Sequence, residues 1–229
     1  MQKKTREPQY QPIIDYRNEG LNERFGLMSG QGWFDDPKRL VFTLARYKFV
    51  AKMLSGRGRV LEIGCADAFA SRIVQQEVGQ LTAVDFDPTF INDVRDRMND
   101  KWSFECFEHD LLEGPVPGIF DGVFLLDVLE HIKPSDEHRF LSNACASLDR
   151  AGVMIIGMPS LESQPYASSI SREGHVNCMS MPSFKKTMEQ YFENVFMFSM
   201  NDEVVHTGFH KMAHYLIALC CTKKIAINK

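Results

Sequence analysis

The stretch VLEIGCADAFA, residues 60–70, limits the possible fold more than any other part of this chain. An apolar strand-forming run ends on an acidic residue, a glycine stands where the chain must turn sharply, and small residues follow that can open a helix. A second such run, LTAVDFDP at 81–88, also ends on an acidic cluster. Two strands joined through a helix make a right-handed βαβ unit. The first turn then lies at the carboxyl end of an open parallel sheet, where such sheets bind ligands and where backbone amides can approach one closely.

The same alternation continues along the chain and predicts an α/β fold whose sheet is covered on both faces. A helix is expected over Pro37 to Leu54, where Leu40, Leu44, Tyr47, Ala51 and Leu54 form one apolar stripe. Strands are expected at 59–63, 81–84, 103–107, 122–126, 153–157, 195–199 and 213–221, and further helices at 68–77, 88–98, 134–148 and 183–191. The last two strands are expected to pair as a hairpin at one edge, across a polar connection at 201–211. Residues 1–36 and 158–182 lack periodicity and read as irregular segments laid over the binding face.

Composition excludes several classes. Of 229 residues, 44 % are hydrophobic and 24 % charged, the balance of a folded globular domain rather than a disordered chain. No apolar run reaches the roughly 18 residues of a membrane span, and the basic start has no apolar stretch after it, so no membrane partner and a cytoplasmic location are the expectations. The six cysteines contain no C-x-x-C pair, which argues against a structural zinc site or a disulfide framework. A net charge of −4 gives no footprint for a polyanion, so no nucleic-acid partner is expected.

Asp85, about twenty residues after Gly64, has the position of a carboxylate that accepts hydrogen bonds from a ribose diol. Phe86 beside it is suited to covering a purine; helix capping by Asp85 and Asp87 is the alternative for this cluster. A G-x-G-x-x-G fingerprint is absent, which disfavours a nicotinamide dinucleotide. Glu62 would repel a pyrophosphate but tolerates a ligand carrying an amino group and a sulfonium.

In order and spacing, VLEIGCADA, VDFDP, HDLLEGPVPGIFDGVFLLDVLEHI at 109–132 and VMIIGMP resemble the class I S-adenosylmethionine-dependent methyltransferases, in the broad group that includes ubiquinone-biosynthesis O-methyltransferases. The resemblance covers roughly residues 45–160. It implies a Rossmann-like, doubly wound, seven-stranded sheet, mostly parallel with an antiparallel last strand, with 37–229 as the methyltransferase domain and 1–36 as an N-terminal cap over the active site. It implies S-adenosylmethionine as cofactor, with Glu62 and Gly64 at its methionine part, Asp85 at the ribose, Asp110 by the adenine with Leu111 beside the ring, and Asp127 at the end of the fourth strand; Cys65 and Ala66 of the same turn, with Phe86, complete the expected cofactor-binding set. The usual Gly-x-Gly-x-Gly has Ala66 and Ala68 at its second and third positions here.

Methyl transfer to a hydroxyl needs positioning and a base, and histidine is the best-tuned candidate near neutral pH. His175, His131 and His210 lie in connections that this topology brings to the ligand side, as does His206. His175, in SREGHVNCMSMPSF, is the first choice. Asp127, Glu130 and His131 form D-x-x-E-H, which resembles the metal-binding E-x-x-E-H of the ubiquinone enzymes; the expectation is that no metal is held. Tyr16, Arg24, Phe25, Trp33 and Phe34 supply an aromatic and polar mixture suited to closing over a small-molecule acceptor, such as a sugar hydroxyl or a phenol. An N-methyltransferase and a non-catalytic cofactor-binding or scaffolding module are the alternatives, and a monomer or homodimer is expected.

Overall fold

The computed structural model describes residues 4–224. Its strands are β1 (Arg59–Ile63), β2 (Gln80–Asp85), β3 (Glu105–Glu108), β4 (Phe120–Leu126), β5 (Leu148–Pro159), β6 (Phe192–Asn201), β7 (Val204–His206) and β8 (Tyr215–Lys223). They form one sheet in the order β3-β2-β1-β4-β5-β8-β6-β7. The pairs β1–β2, β1–β4, β2–β3 and β4–β5 are parallel, while β8 runs antiparallel to both β5 and β6. Strand order reverses between β1 and β4, so the carboxyl ends of those strands open a crevice.

Strand periodicity sorts the core. Leu61, Ile63, Val123, Leu125, Met154, Ile156, Leu216 and Ala218 share one face. Val60, Phe124, Leu126, Ile155, Tyr215 and Ile217 share the other. The helices are α1 (Gln11–Asn18), α2 (Leu27–Asp35), α3 (Pro37–Met53), α4 (Ser71–Gln75), α5 (Pro88–Arg97), α6 (Glu137–Ala146), α7 (Ser169–Gly174) and α8 (Met181–Met188). Phe140 and Leu141 of α6 and Phe184 and Met188 of α8 cover the first face, and Tyr47, Val50 and Ala51 of α3 with Val74 of α4 cover the second. Helices α3 and α5 start at Asp-Pro pairs. Asp36 and Asp87 accept the amides of Lys38 and Thr89, and each proline occupies a position whose amide would be unpaired.

Four expectations need correction. Among the described residues the sheet has eight strands, not seven: Asp202 adopts φ +49, the chain turns back, and β7 pairs with the end of β6 inside the stretch expected to be a polar connection. The last two expected strands, β6 and β8, do pair antiparallel, but neither is the edge: β7 takes that place, and β8 enters between β5 and β6 with both its sides paired. Residues 1–36 and 158–182 are not irregular throughout, since they contain α1, α2, a 3₁₀ segment at Leu161–Tyr166 and α7. The helix expected at 68–77 is shorter because its first residues stay in the turn. The expected domain bounds extend into 1–3 and 225–229, which lie outside the described residues.

Phe124 is fully buried and meets the Tyr47 ring edge-on at 5.9 Å. Phe124→Ala should lower stability by about 3–5 kcal/mol in urea titration, whereas Phe196→Ala, at a half-exposed position, should stay within about 0.5 kcal/mol.

Candidate functional site

The first turn is built around a run of left-handed backbone. Gly64, Ala66 and Ala68 have φ of +74, +46 and +47. All three positions of the Gly-x-Gly-x-Gly pattern therefore keep the conformation that glycine favours, and two of them do so with alanine, at a cost of roughly 1–2 kcal/mol each. Gly64 is further required by contact, because a Cβ there would meet Val128 Cγ2 at 2.4 Å.

Asp85, buried at the end of β2, holds this turn: its Oδ2 accepts the Ala66 amide at 2.8 Å and its Oδ1 accepts the Asp87 amide at 3.0 Å. Each oxygen keeps a lone pair for a further donor. Phe86 beside it is 70 % exposed. Glu62, buried at the end of β1, accepts the Tyr47 hydroxyl at 2.6 Å through Oε1. Burial pushes its carboxyl up to about 7, and the nearby Asp67 and Asp85 add to the rise, opposing its hydrogen bonds. Its Oε2 is buried without a hydrogen-bond partner among the described residues. Cys65 is buried. Past β3, Asp110 caps its own turn by accepting the Leu112 amide at 2.8 Å, while Leu111 is buried in the core.

A second group stands after β4. Asp127 has φ +58, and its Oδ2 accepts Arg46 Nη1 at 2.6 Å. Arg46, on α3, also lies 3.8 Å above the Tyr215 ring. Glu130 is buried with neither carboxylate oxygen hydrogen-bonded among the described residues, and burial, with the charge of Asp127, pushes its pKa well up. Its main-chain carbonyl accepts the amides of Val176 at 2.8 Å and Asn177 at 3.0 Å, which docks the segment after α7 onto the end of β4. His131 and His175 consequently stack edge-on, with ring centroids 5.2 Å apart. One potential ligand atom from each of Glu130, His131 and His175 lies within 4.8 Å of the others. Burial, with a smaller contribution from His131, lowers the His175 pKa and favours a neutral imidazole at pH 7.

The structure thus brings His131 and His175 together and does not bring His210 to them. His210 stacks on Phe209 and lines a recess with Met181, Lys185 and Phe196, beside β6. His206 is tied into its own hairpin, with Nδ1 accepting the Gly208 amide and Nε2 facing Asn201. Sequence reading missed Arg46, Gln164 and Asp67. No local signal marks the first two; Asp67 accepts the Ser29 amide at 2.7 Å and so seats α2 on the first turn. Phe25 extends that contact, with its ring 5.1 Å from Phe69 and 5.8 Å from Trp33.

Residues 60–152, which contain both groups up to the end of the Glu130–His131 turn, match the model of a family described as a methyltransferase domain. Over this stretch the chain is a class I methyltransferase domain. It is 27 % identical over 148 residues to a ubiquinone biosynthesis O-methyltransferase of Xylella fastidiosa (strain M23), covering 60 % of this chain and 57 % of that protein. The chain therefore spans little more than half the length of such curated relatives. A probable S-adenosylmethionine-dependent methyltransferase of Mycobacterium tuberculosis is 30 % identical over 101 residues, 44 % of this chain and 35 % of that one. Among solved structures, the N-methyltransferase NodS from Bradyrhizobium japonicum WM9, in complex with S-adenosylhomocysteine, superposes with a TM-score of 0.62 at 16 % identity, covering 83 % of this chain and 90 % of that chain. This likeness establishes the fold of the methyltransferase domain, antiparallel end of the sheet included. No helix among the described residues is long and apolar enough to cross a membrane.

The strained alanines of the domain's first turn make a direct test. Glycine at such sites relieves about 1–2 kcal/mol of strain and adds about 0.5–1 kcal/mol of unfolded-state entropy. Ala66→Gly and Ala68→Gly should each leave stability unchanged or raise it by up to about 1.5 kcal/mol in thermal and urea unfolding; a clear loss in both would contradict the strain.

Proposed function

We propose that this chain transfers a methyl group from S-adenosylmethionine to a hydroxyl of a small-molecule acceptor. The observation that carries the reading is the paired His131 and His175, docked after β4 beside the turn that Asp85 and Glu62 build. The residues present fit the cofactor. Asp85 has spare acceptor capacity for a ribose diol, the left-handed turn leaves room for close backbone approach, and Glu62 Oε2 is a buried acceptor without a partner. S-adenosylmethionine supplies an electrophilic methyl on a sulfonium. Support comes from the relatives: the ubiquinone enzyme is named as an O-methyltransferase, and NodS was solved with the demethylated product.

In this reading His175 Nε2 takes the acceptor's hydroxyl proton. Loss of that proton would leave the acceptor oxygen with a lone pair free to meet the electrophilic methyl that the cofactor would supply. Residues 4–36 act as the cap: α2 is already held on the first turn through Asp67 and Ser29, with Leu27 bonded to Asp93. Trp33 and Phe34 are left exposed for an acceptor.

One observation favours a second reading of the same group. A carboxylate without hydrogen bonds and two imidazole nitrogens, all within 4.8 Å, fit a divalent ion, which would lower the pKa of a bound hydroxyl. D-x-x-E-H suggested Asp127 as a member of that set, but Arg46 takes its carboxylate and His175 stands in the group instead.

S-adenosylhomocysteine should bind by calorimetry, and Asp85→Ala should weaken it about tenfold to a hundredfold; no binding to the wild type overturns the proposal. In a panel of hydroxylated sugars, phenols and amines, His175→Gln should lower turnover of the accepted substrate by about 10² to 10⁴ with cofactor affinity nearly unchanged, and His206→Gln should not. Full activity in chelator supports the base; loss in chelator and recovery with Zn²⁺ or Mg²⁺ supports the metal.

A further inference from the structure

We propose that Gln164 is a positioning residue: it holds His175 as the Nδ1–H tautomer and so leaves Nε2 as the lone pair available for proton transfer. The role in catalysis rests on the reading of His175 given above, while the tautomer itself rests only on hydrogen-bond geometry.

The assignment follows from which groups can only accept. The Ser160 carbonyl oxygen lies 3.1 Å from Gln164 Nε2, and a carbonyl cannot donate, so the amide nitrogen must face it. The same nitrogen lies 3.4 Å from Ser163 Oγ. With the amide turned this way, Gln164 Oε1 faces His175 Nδ1 at 3.0 Å. That oxygen also only accepts, so Nδ1 must carry the proton. A neutral imidazole has one N–H, and Nε2 is left as the acceptor.

The mount is rigid. Gln164 sits in the 3₁₀ segment Leu161–Tyr166, whose N-cap is the buried Ser160. Ser160 donates its hydroxyl to the Ala213 carbonyl at 2.7 Å and its amide to the His214 carbonyl at 3.0 Å, and Leu161 donates to the Met179 carbonyl at 3.0 Å. Gln164 is thereby fixed to the end of β5, the approach to β8 and the approach to α8. On the other side, the His175 amide donates to the Ser171 carbonyl at 2.8 Å and closes α7. Neither end of the Gln164–His175 bond hangs on a free loop.

His131 provides an internal comparison. Its Nδ1 faces the Gly174 carbonyl at 2.9 Å, so it too must be Nδ1–H, but the acceptor is main chain and no side-chain substitution removes it. Both imidazoles therefore keep Nε2 as the acceptor nitrogen. In His175 alone, a replaceable side chain sets that state.

The test is the tautomer of each ring in the full chain, read by long-range ¹H–¹⁵N correlation with ¹⁵N-labelled histidine at about pH 8, above the ordinary histidine pKa. Wild-type His175 should show Nδ1–H. Gln164→Leu should lose it while His131 keeps it, and Gln164→Glu, which still accepts, should retain it. Turnover should fall about 10- to 100-fold in Gln164→Leu, with the acceptor's KM little moved, and recover in part in Gln164→Glu, whose second oxygen meets the Ser160 carbonyl where the amide nitrogen stood. An Nε2–H tautomer in wild-type His175, which needs no variant to fold, overturns the proposal, as does an unchanged Nδ1–H in Gln164→Leu. Wild-type turnover in His175→Gln overturns the catalytic role alone, and that result is distinguishable because the spectra need neither acceptor nor cofactor.

Discussion

The Asp85 carboxylate, bonded to the Ala66 amide across the ends of β2 and β1, is the contact on which the rest of the site depends. Three residues of the turn lie in left-handed backbone, and two of these have side chains that disfavour it. A turn of that shape persists only where its surroundings over-determine it. Asp85 supplies one restraint, the contact of Gly64 with Val128 another, and the Gly64 and Cys65 amides, both donated to the Val84 carbonyl, a third. Held so, Asp67 projects to receive α2, and a Cβ on Gly26 would run into its side chain at 2.3–2.5 Å.

Burial then determines the chemistry available at each end of the crevice. Glu62 is held by a phenol whose own pKa burial raises well above its usual value, so Tyr47 remains a donor and the pair survives as a hydrogen bond rather than as two charges. Glu130, without a hydrogen-bond donor among the described residues, resists ionisation. Asp127 has a guanidinium and stays paired. Three acidic side chains near one crevice thus have three different electrostatic settings, each decided by what α3 presents or fails to present to it.

The parts of this arrangement that were legible in the sequence are those carried by short-range pattern. Apolar runs ending on Glu62, Asp85 and Leu126 marked strands and their carboxyl ends, since a strand buried on both faces has no polar alternative. Asp-Pro pairs marked two helix starts. The hairpin of β7 was not legible, because its turn is Asp202-Glu203 with no glycine, and the left-handed φ at Asp202 is imposed by pairing on both sides. Helices α1 and α2 were missed for a related reason: they bury almost nothing, so the apolar periodicity that reveals a helix is absent from them.

Sequence by itself determined the α/β architecture, the first βα turn and the carboxylates around it, because these depend on residues within one βαβ unit and on the side-chain periods of strands and helices. Tertiary structure alone decided the partners. Arg46 reaches Asp127 across 81 positions of sequence and His131 reaches the Gly174 carbonyl across 43. It also removed His210 from the group and placed Gln164 against His175. A hydrogen bond is sensitive to tenths of an ångström and to angle, and positions to that tolerance are set by how whole elements pack, which no local spacing encodes.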